Sequence, residues 1–246
     1  MLHLKGDSEA DMMNRMIREA ITYYANGVDA VLVEKYFGSA HDCELALEWL
    51  YHNMPNKCYG VNILGDYKEA FRLAKEYHAD FVQIDSVCGH LKSGDDEKYA
   101  AELIENEKDR TFDVLGGLRF KYQSVRSGRT LEEDAELAKL RCDAVVTTGE
   151  GTGMDTFTEK LMEFRQVLGD FPLIVGAGNH DMPLSPIETG KMQYYDFRDR
   201  LLDKNGIPIE KDPCGTYARI ENVEIIGINW FYNKCWGQAM SLAPLS

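Results

Sequence analysis

Three pairs of polar residues stand two apart near the ends of apolar runs in this sequence: His3 with Lys5, Gln83 with Asp85, and Arg119 with Lys121. Residues two apart in an extended strand share a face, so each pair is expected to project to one side of a sheet. Glu34 and Asn62 end two further apolar runs. A positioned carboxylate can move protons, and a lysine whose pKa is depressed by a neighbouring cation can form a Schiff base. Asp85 and Lys121 are therefore the candidates for acid/base or covalent work, with Glu34 and His3 supporting them. Arg119 could instead clamp a carboxylate or phosphate. Glu34, Asp85 and His3 together could hold a divalent metal ion, which makes metal-assisted proton transfer a further option.

A glycine-threonine run, Thr147-Thr148-Gly149-Glu150-Gly151-Thr152-Gly153-Met154, follows the apolar stretch Ala144-Val145-Val146 and precedes a helical pattern. A strand that opens through glycines onto a helix presents bare backbone N–H groups, which suit an anion or a polar small molecule. Thr148, Gly149, Glu150, Gly151, Thr152 and Gly153 are the expected substrate-binding positions, with Asn62 as a further contact. Gly176, Gly178 and Gly227 would allow close backbone approach of a phosphate. Each residue also has a plainer reading. Glu34, Asp85, Arg119 and Lys121 could form a structural ion-pair network, because buried charge must be paired. His3 could simply end a strand, Asn62 and Gln83 could close hydrogen bonds, and the glycines could relieve crowding. His90 is a candidate because a loop after a strand carries it.

The elements that would position these groups alternate regularly. Residues 2–6 alternate as a short strand. Ser8, with Asp11 three residues on, looks like a capping box for a helix stopped by Asn26-Gly27. Apolar runs at 30–33, 59–64, 81–85, 112–121, 144–146 and 172–178 read as buried strands, and helical patterns separate them. The strands recur roughly 25 to 30 residues apart, as βαβ units require. The expected fold is α/β, a (βα)8 TIM-type barrel of parallel strands in one domain over 1–246, closed by an eighth strand at 223–229. In such barrels the reactive groups gather at the C-terminal strand ends. Residues 179–222 break the rhythm and read as an insertion, with one helix near 194–203 and a short strand near 216–220. Residues 236–246 read as a short irregular tail.

A formal charge of −14 argues against nucleic acid as a partner. No apolar run reaches the roughly 18 residues needed to span a bilayer, and no signal peptide is evident, so the expectation is a cytoplasmic protein with no transmembrane segment. The cysteines, Cys43, Cys58, Cys88, Cys142, Cys214 and Cys235, form no C-x-x-C pair and read as reduced thiols. The expected partner is a small phosphorylated ligand, with a homo-oligomer left open.

The stretches MLHLKG, GVDAVLVEKYFG, YGVNILGDYKEAFRLA, ADFVQIDSVCGHL, LGGLRFKYQSVRSGRTLEEDAELA, CDAVVTTGEGTGMDT and FPLIVGAG cover almost all of residues 1–178. In order and spacing they resemble the BtpA (BtpA/SgcQ) family, named for a photosystem I biogenesis protein. The resemblance implies a TIM-barrel-like fold. It also implies either an enzyme of small-molecule metabolism, lyase- or isomerase-like, or a non-catalytic assembly factor for a photosystem or membrane complex. After Gly178 the resemblance fades. Val223–Tyr232 takes the place of the family's last strand, displaced by the insertion, and the terminal helix is cut short. A separate motif, Gly178-Asn179-His180-Asp181, resembles the metal-binding signature of calcineurin-like metallophosphoesterases. Such enzymes also need an early D-x-H and later histidines, and this chain has neither. A metallophosphoesterase-like hydrolase is therefore the remotest reading.

Overall fold

A computed structural model describes residues 1–2, 4–149, 158–177, 217–220 and 223–227. They fall into two compact units, one of residues 1–118 and 124–145, the other of residues 119–123 and 146–246.

In the first unit helices alternate with strands: α1 (Glu9–Ala25), β1 (Ala30–Glu34), α2 (Ala40–Asn53), β2 (Cys58–Asn62), α3 (Tyr67–Glu76), β3 (Phe81–Cys88), α4 (Ser93–Glu107), β4 (Asp113–Leu118) and α5 (Leu131–Lys139). β1, β2, β3 and β4 lie side by side in chain order, and each neighbouring pair is parallel. Helical returns between parallel neighbours are what apolar strands of this length require, because a tight hairpin cannot join them. The strands carry Val31, Val33, Val61, Val82 and Val114, each at most 2% exposed, and the helices cover them with Ala46, Leu47, Leu50, Phe71, Leu73 and Leu103.

The helix starts follow local chemistry. Ser8 caps α1 by accepting from the Asp11 N–H, but the Asp11 carboxylate reaches back to the Asp7 N–H rather than to Ser8. The expected box at Ser8 is thus only half formed. Reciprocal capping boxes stand instead at Ser39/Asp42 and Thr130/Glu133.

Two expected strand segments differ. Leu2 makes only an isolated parallel bridge to Val33. The chain leaves extended geometry at Leu4, whose φ is 49°. Lys5 therefore does not continue an extended run from Leu2, and His3 lies outside the described residues. β4 stops at Leu118 rather than at Lys121, because Arg119 (φ 47°) and Tyr122 (φ 61°) take left-handed backbone. The shared face expected of Arg119 and Lys121 fails for the same reason. Gln83 and Asp85 keep theirs: residues 81, 83 and 85 are half-exposed while 82 and 84 are buried.

β5 (Ala144–Thr147) is fully buried. The second unit contains α6 (Thr158–Leu168), β6 (Leu173–Ala177), β7 (Tyr217–Ile220) and β8 (Val223–Gly227). β8 pairs parallel with β6, as expected of a late strand, and antiparallel with β7. β7 is the short strand expected within the insertion, and it adds an antiparallel edge beyond the parallel strands. A four-residue strand separated from the next by two residues can only fold back as a hairpin.

The helix expected near 194–203, the GNHD motif, the tail, Cys214 and Cys235 lie outside the described residues. Cys43, Cys58, Cys88 and Cys142 are free thiols. Among the described residues no helix is long and apolar enough to cross a membrane.

Candidate functional site

Two adjacent strands of the first unit end in polar groups, and the third, β3, carries Asp85 before its end at Cys88. Glu34 closes β1 and Asn62 closes β2, and the two are register partners. Both are buried, at 7% and 1% exposure. The Asn62 side-chain amide donates to Asp85 Oδ1 of β3 at 3.0 Å. The Asn62 carbonyl accepts from the Lys35 N–H at 2.9 Å, which anchors the turn after β1. Glu34 and Asn62 therefore share one sheet end as expected, and Asn62 orients the Asp85 carboxylate, which stands inside β3 rather than at its end. An amide donor 3.0 Å from one carboxylate oxygen restrains the rotamer of the Asp85 side chain.

Gly117 of β4 makes room beside this group. A Cβ there would lie 1.9 Å from the Asp85 carbonyl oxygen. Only glycine lets the two backbones approach so closely.

A second cluster braces the end of β3. Asp96, 1% exposed in the first turn of α4, accepts from Arg141 Nη1 at 2.9 Å, from Arg141 Nη2 at 3.1 Å and from Arg129 Nη2 at 2.8 Å. Arg129 Nε donates to Asp134 of α5 at 2.9 Å, and Arg141 Nη1 also donates to the Val87 carbonyl at 2.8 Å. Burial alone would raise the Asp96 pKa, but hydrogen bonds from Arg141 and Arg129 outweigh it and hold the carboxyl below its ordinary value. The Gly89 carbonyl accepts from the N–H groups of Arg126 and Ser127, so residues 126–130 are pinned over the end of β3. Gly89 itself has φ 84°, a conformation glycine adopts without strain. His90 packs edge-on against Tyr99, with ring centroids 5.3 Å apart, and burial lowers its pKa.

In the second unit Arg119, Lys121, Thr148 and Gly149 come together. The Lys121 N–H donates to Thr148 Oγ1 at 3.2 Å, and that hydroxyl donates to the Gly149 carbonyl at 3.0 Å. Sequence reasoning missed Lys160 of α6. Its ammonium donates to the Thr148 carbonyl at 2.6 Å and to the Arg119 carbonyl at 3.2 Å. The available signal was spacing: Lys160, Phe164 and Leu168 recur every four residues, and the last two are buried. That puts Lys160 on the inward stripe of the helix. Arg129, Arg141, Asp96 and Asp134 left no comparable signal, since acidic residues in a first helical turn read as solvated.

Gly176 and Gly227, expected at a phosphate site, end β6 and β8 one register step apart, with Gly176 opposite Ile226 and Gly227 opposite Ala177. His3, Glu150, Gly151, Thr152, Gly153 and Gly178 lie outside the described residues. Among the described residues no three of His, Cys, Asp and Glu gather as a metal-ligand set.

Residues 4–187 match the BtpA family over a continuous span. The chain belongs to the BtpA family. Its similar relatives include an uncharacterized protein of Pyrococcus horikoshii, 26% identical over 191 residues and covering 71% of this chain and 72% of that one. An uncharacterized mitochondrial protein of Caenorhabditis elegans is 25% identical over 195 residues, covering 68% of this chain and 69% of its own. The solved 7,8-dihydropteroate synthase of Vibrio fischeri matches with a TM-score of 0.51 over 99% of this chain and 92% of that one, at 13% identity, a likeness of fold alone. For this BtpA-family protein the matched span contains Glu34, Asn62, Asp85, Arg119, Lys121, Thr148 and Lys160. It stops short of β7, β8 and Gly227.

Proposed function

We propose that this BtpA-family protein is a (βα)8-barrel enzyme of one domain, acting on a small phosphorylated metabolite by proton transfer or by carbon–carbon lyase or isomerase chemistry. The observation that supports it most is the Asp85 carboxylate of β3, oriented by the buried Asn62, whose register partner is the buried Glu34. Asp85 is assigned acid/base work, and Glu34 and His3 supporting roles. Lys121 is assigned proton transfer or imine formation. Arg119 and the amides of Gly149, Gly151, Thr152 and Gly153 are assigned the anion, with Gly176, Gly178 and Gly227 as phosphate contacts. A divalent metal ion held by Glu34, Asp85 and His3 remains the alternative form of the same proton chemistry, and the cytoplasm the proposed location.

The test is a thermal-shift screen of the intact protein against sugar phosphates, other phosphorylated small molecules and divalent metal ions, since a ligand bound only by the native state raises Tm. A hit that turns over in wild type and is lost in Asp85→Asn and Lys121→Met supports the reading. Unaltered turnover in both variants removes those residues from the mechanism.

A second reading, an assembly factor that binds a partner protein, takes its support from Tyr36 and Phe37. These two aromatics stack edge-to-face with ring centroids 4.7 Å apart, and are 58% and 53% exposed in the loop after β1. Loss of partner binding in Phe37→Ser, with every metabolite silent in the screen, would favour it.

A further inference from the structure

β3 and β4 do not pair residue for residue. Ile84 pairs with Gly116 and Cys88 with Leu118, so Asp85, Ser86 and Val87 together face Gly117 alone. β3 therefore bulges at this point, and Asp85 is the first residue past the last regular pair. The alternation of the strand stops there too: residues 81, 83 and 85 are half-exposed, whereas 86, 87 and 88 are all buried. Bulges re-aim a side chain and recur beside active sites. A bulge can also slide. Moving it by one position along β3 would turn Asp85 to the opposite face and break its bond with Asn62.

The carbonyls of the bulge are held from outside the strand. The Asp85 carbonyl lies against Gly117, where a Cβ would approach it to 1.9 Å. The Val87 carbonyl accepts from Arg141 Nη1 at 2.8 Å. The Ser86 carbonyl, on the residue next to Asp85, accepts from the Tyr99 hydroxyl of α4 at 2.9 Å. The Tyr99 ring is itself gripped edge-on by Tyr67 and by His90, with centroids 5.6 Å and 5.3 Å away. Burial raises the Tyr99 phenol pKa, so the hydroxyl keeps its proton and stays a donor through the neutral range.

We infer that Tyr99 is a positioning residue for the Asp85 carboxylate: its hydroxyl, bonded to the Ser86 carbonyl, locks the bulge of β3 at the register that presents Asp85 to Asn62. Ile84 is fixed by its pairing with Gly116, and the peptide after Ser86 is fixed by Tyr99. The peptide between Asp85 and Ser86 is planar and its carbonyl is wedged against Gly117, so it has no room to flip. The Cα–Cβ bond of Asp85 then keeps one direction, and Oδ1 stays 3.0 Å from the Asn62 amide. The inference deepens the acid/base reading of Asp85 and rests on it for its functional meaning. Its test needs no substrate, so a silent metabolite screen strikes that reading and leaves the geometry standing.

The probe is the Asn62 side-chain amide, followed by 15N–1H NMR in wild type, Tyr99→Phe, Tyr24→Phe and Asp85→Ala. Tyr99→Phe keeps the ring between Tyr67 and His90 and removes only the hydroxyl. Tyr24→Phe is the matched control, because it deletes a hydroxyl bonded at 2.6 Å to the Cys58 carbonyl, at the opposite end of β2 from Asn62. Asp85→Ala supplies the signal of the amide without its carboxylate. In Tyr99→Phe the Asn62 amide should exchange with solvent about tenfold faster or more, as loss of its bond implies, and its shift should move towards that of Asp85→Ala. Tyr24→Phe should keep the wild-type signal. An Asn62 amide unchanged in Tyr99→Phe, however far Tm falls, overturns the inference, and so does an equal change in Tyr24→Phe. If Tyr99→Phe does not fold, native-state hydrogen exchange of wild type decides. The Asn62 side-chain amide should then open together with the Ser86 and Val87 N–H groups as denaturant is added, and opening together with the β2 backbone instead overturns the inference.

Discussion

Replacing Arg141 by methionine should be among the most damaging single changes in the first unit, and the size of the effect follows from its partners. The guanidinium is 6% exposed and makes two bonds to Asp96 and one to the Val87 carbonyl. Without it, among the described residues Asp96 keeps only Arg129 as a charged partner, in a site where it is 1% exposed. Breaking a buried pair by removing one member costs about 3 to 5 kcal/mol, because the remaining charge is left uncompensated. Arg129 still supplies part of that compensation, so about 3 kcal/mol is expected. The assay is urea unfolding at pH 7, read as a shift in midpoint at constant m.

Acidity provides a control. The Asp96 pKa is depressed in the folded state, so its contribution to stability is present above the ordinary value of 3.8 and is lost as pH falls through the folded value. In Arg141→Met that depression is weakened, leaving Arg129 alone to hold the carboxyl down, so the gap between variant and wild type should narrow from pH 6 towards pH 3. The double change Asp96→Asn/Arg141→Met should recover at least about 1 kcal/mol relative to Arg141→Met, since no uncompensated carboxylate remains. A cost below about 1 kcal/mol, or a gap that does not close on acidification, would refute the reasoning.

Three further outcomes can be checked. Burial pushes the Glu107 pKa up to about 7 from 4.5, so its protonated form is favoured in the folded state and stability should fall as pH rises across that window. Glu107→Gln should lack this slope and gain about 1 to 2 kcal/mol over wild type between pH 5 and pH 8, after allowance for partial exposure. Gly117→Ala drives a methyl into the Asp85 carbonyl and should cost about 3 kcal/mol or more, measured as a fall in Tm; a cost under 1 kcal/mol would mean the strands separate freely. Thr130→Ala removes the capping box of α5 and should cost about 1 kcal/mol in the same urea assay, with Thr130→Ser close to wild type.

Much of the architecture was legible because it is encoded locally. Strand runs such as 30–33 and 81–85, the caps at Ser8 and Thr130, and the helix from Tyr67 each rest on residues within one or two turns of one another. The pairing of Glu34 with Asn62 was legible too, since parallel strands in chain order place their C-terminal residues at one edge. The places where the reading failed are departures from regular backbone. Leu4, Arg119 and Tyr122 adopt left-handed angles that no side-chain pattern announces in residues other than glycine.

The amino-acid order by itself settled the α/β alternation, the parallel succession of β1 to β4 and membership of the BtpA family, because hydrophobic period and motif spacing are properties of the chain. Which charge meets which was decided only by the tertiary structure. Arg141 lies 45 positions from Asp96, and Lys160 lies 41 and 12 positions from the carbonyls it holds. Such partners are selected when packing brings them out of water together, and an unpaired charge cannot stay there.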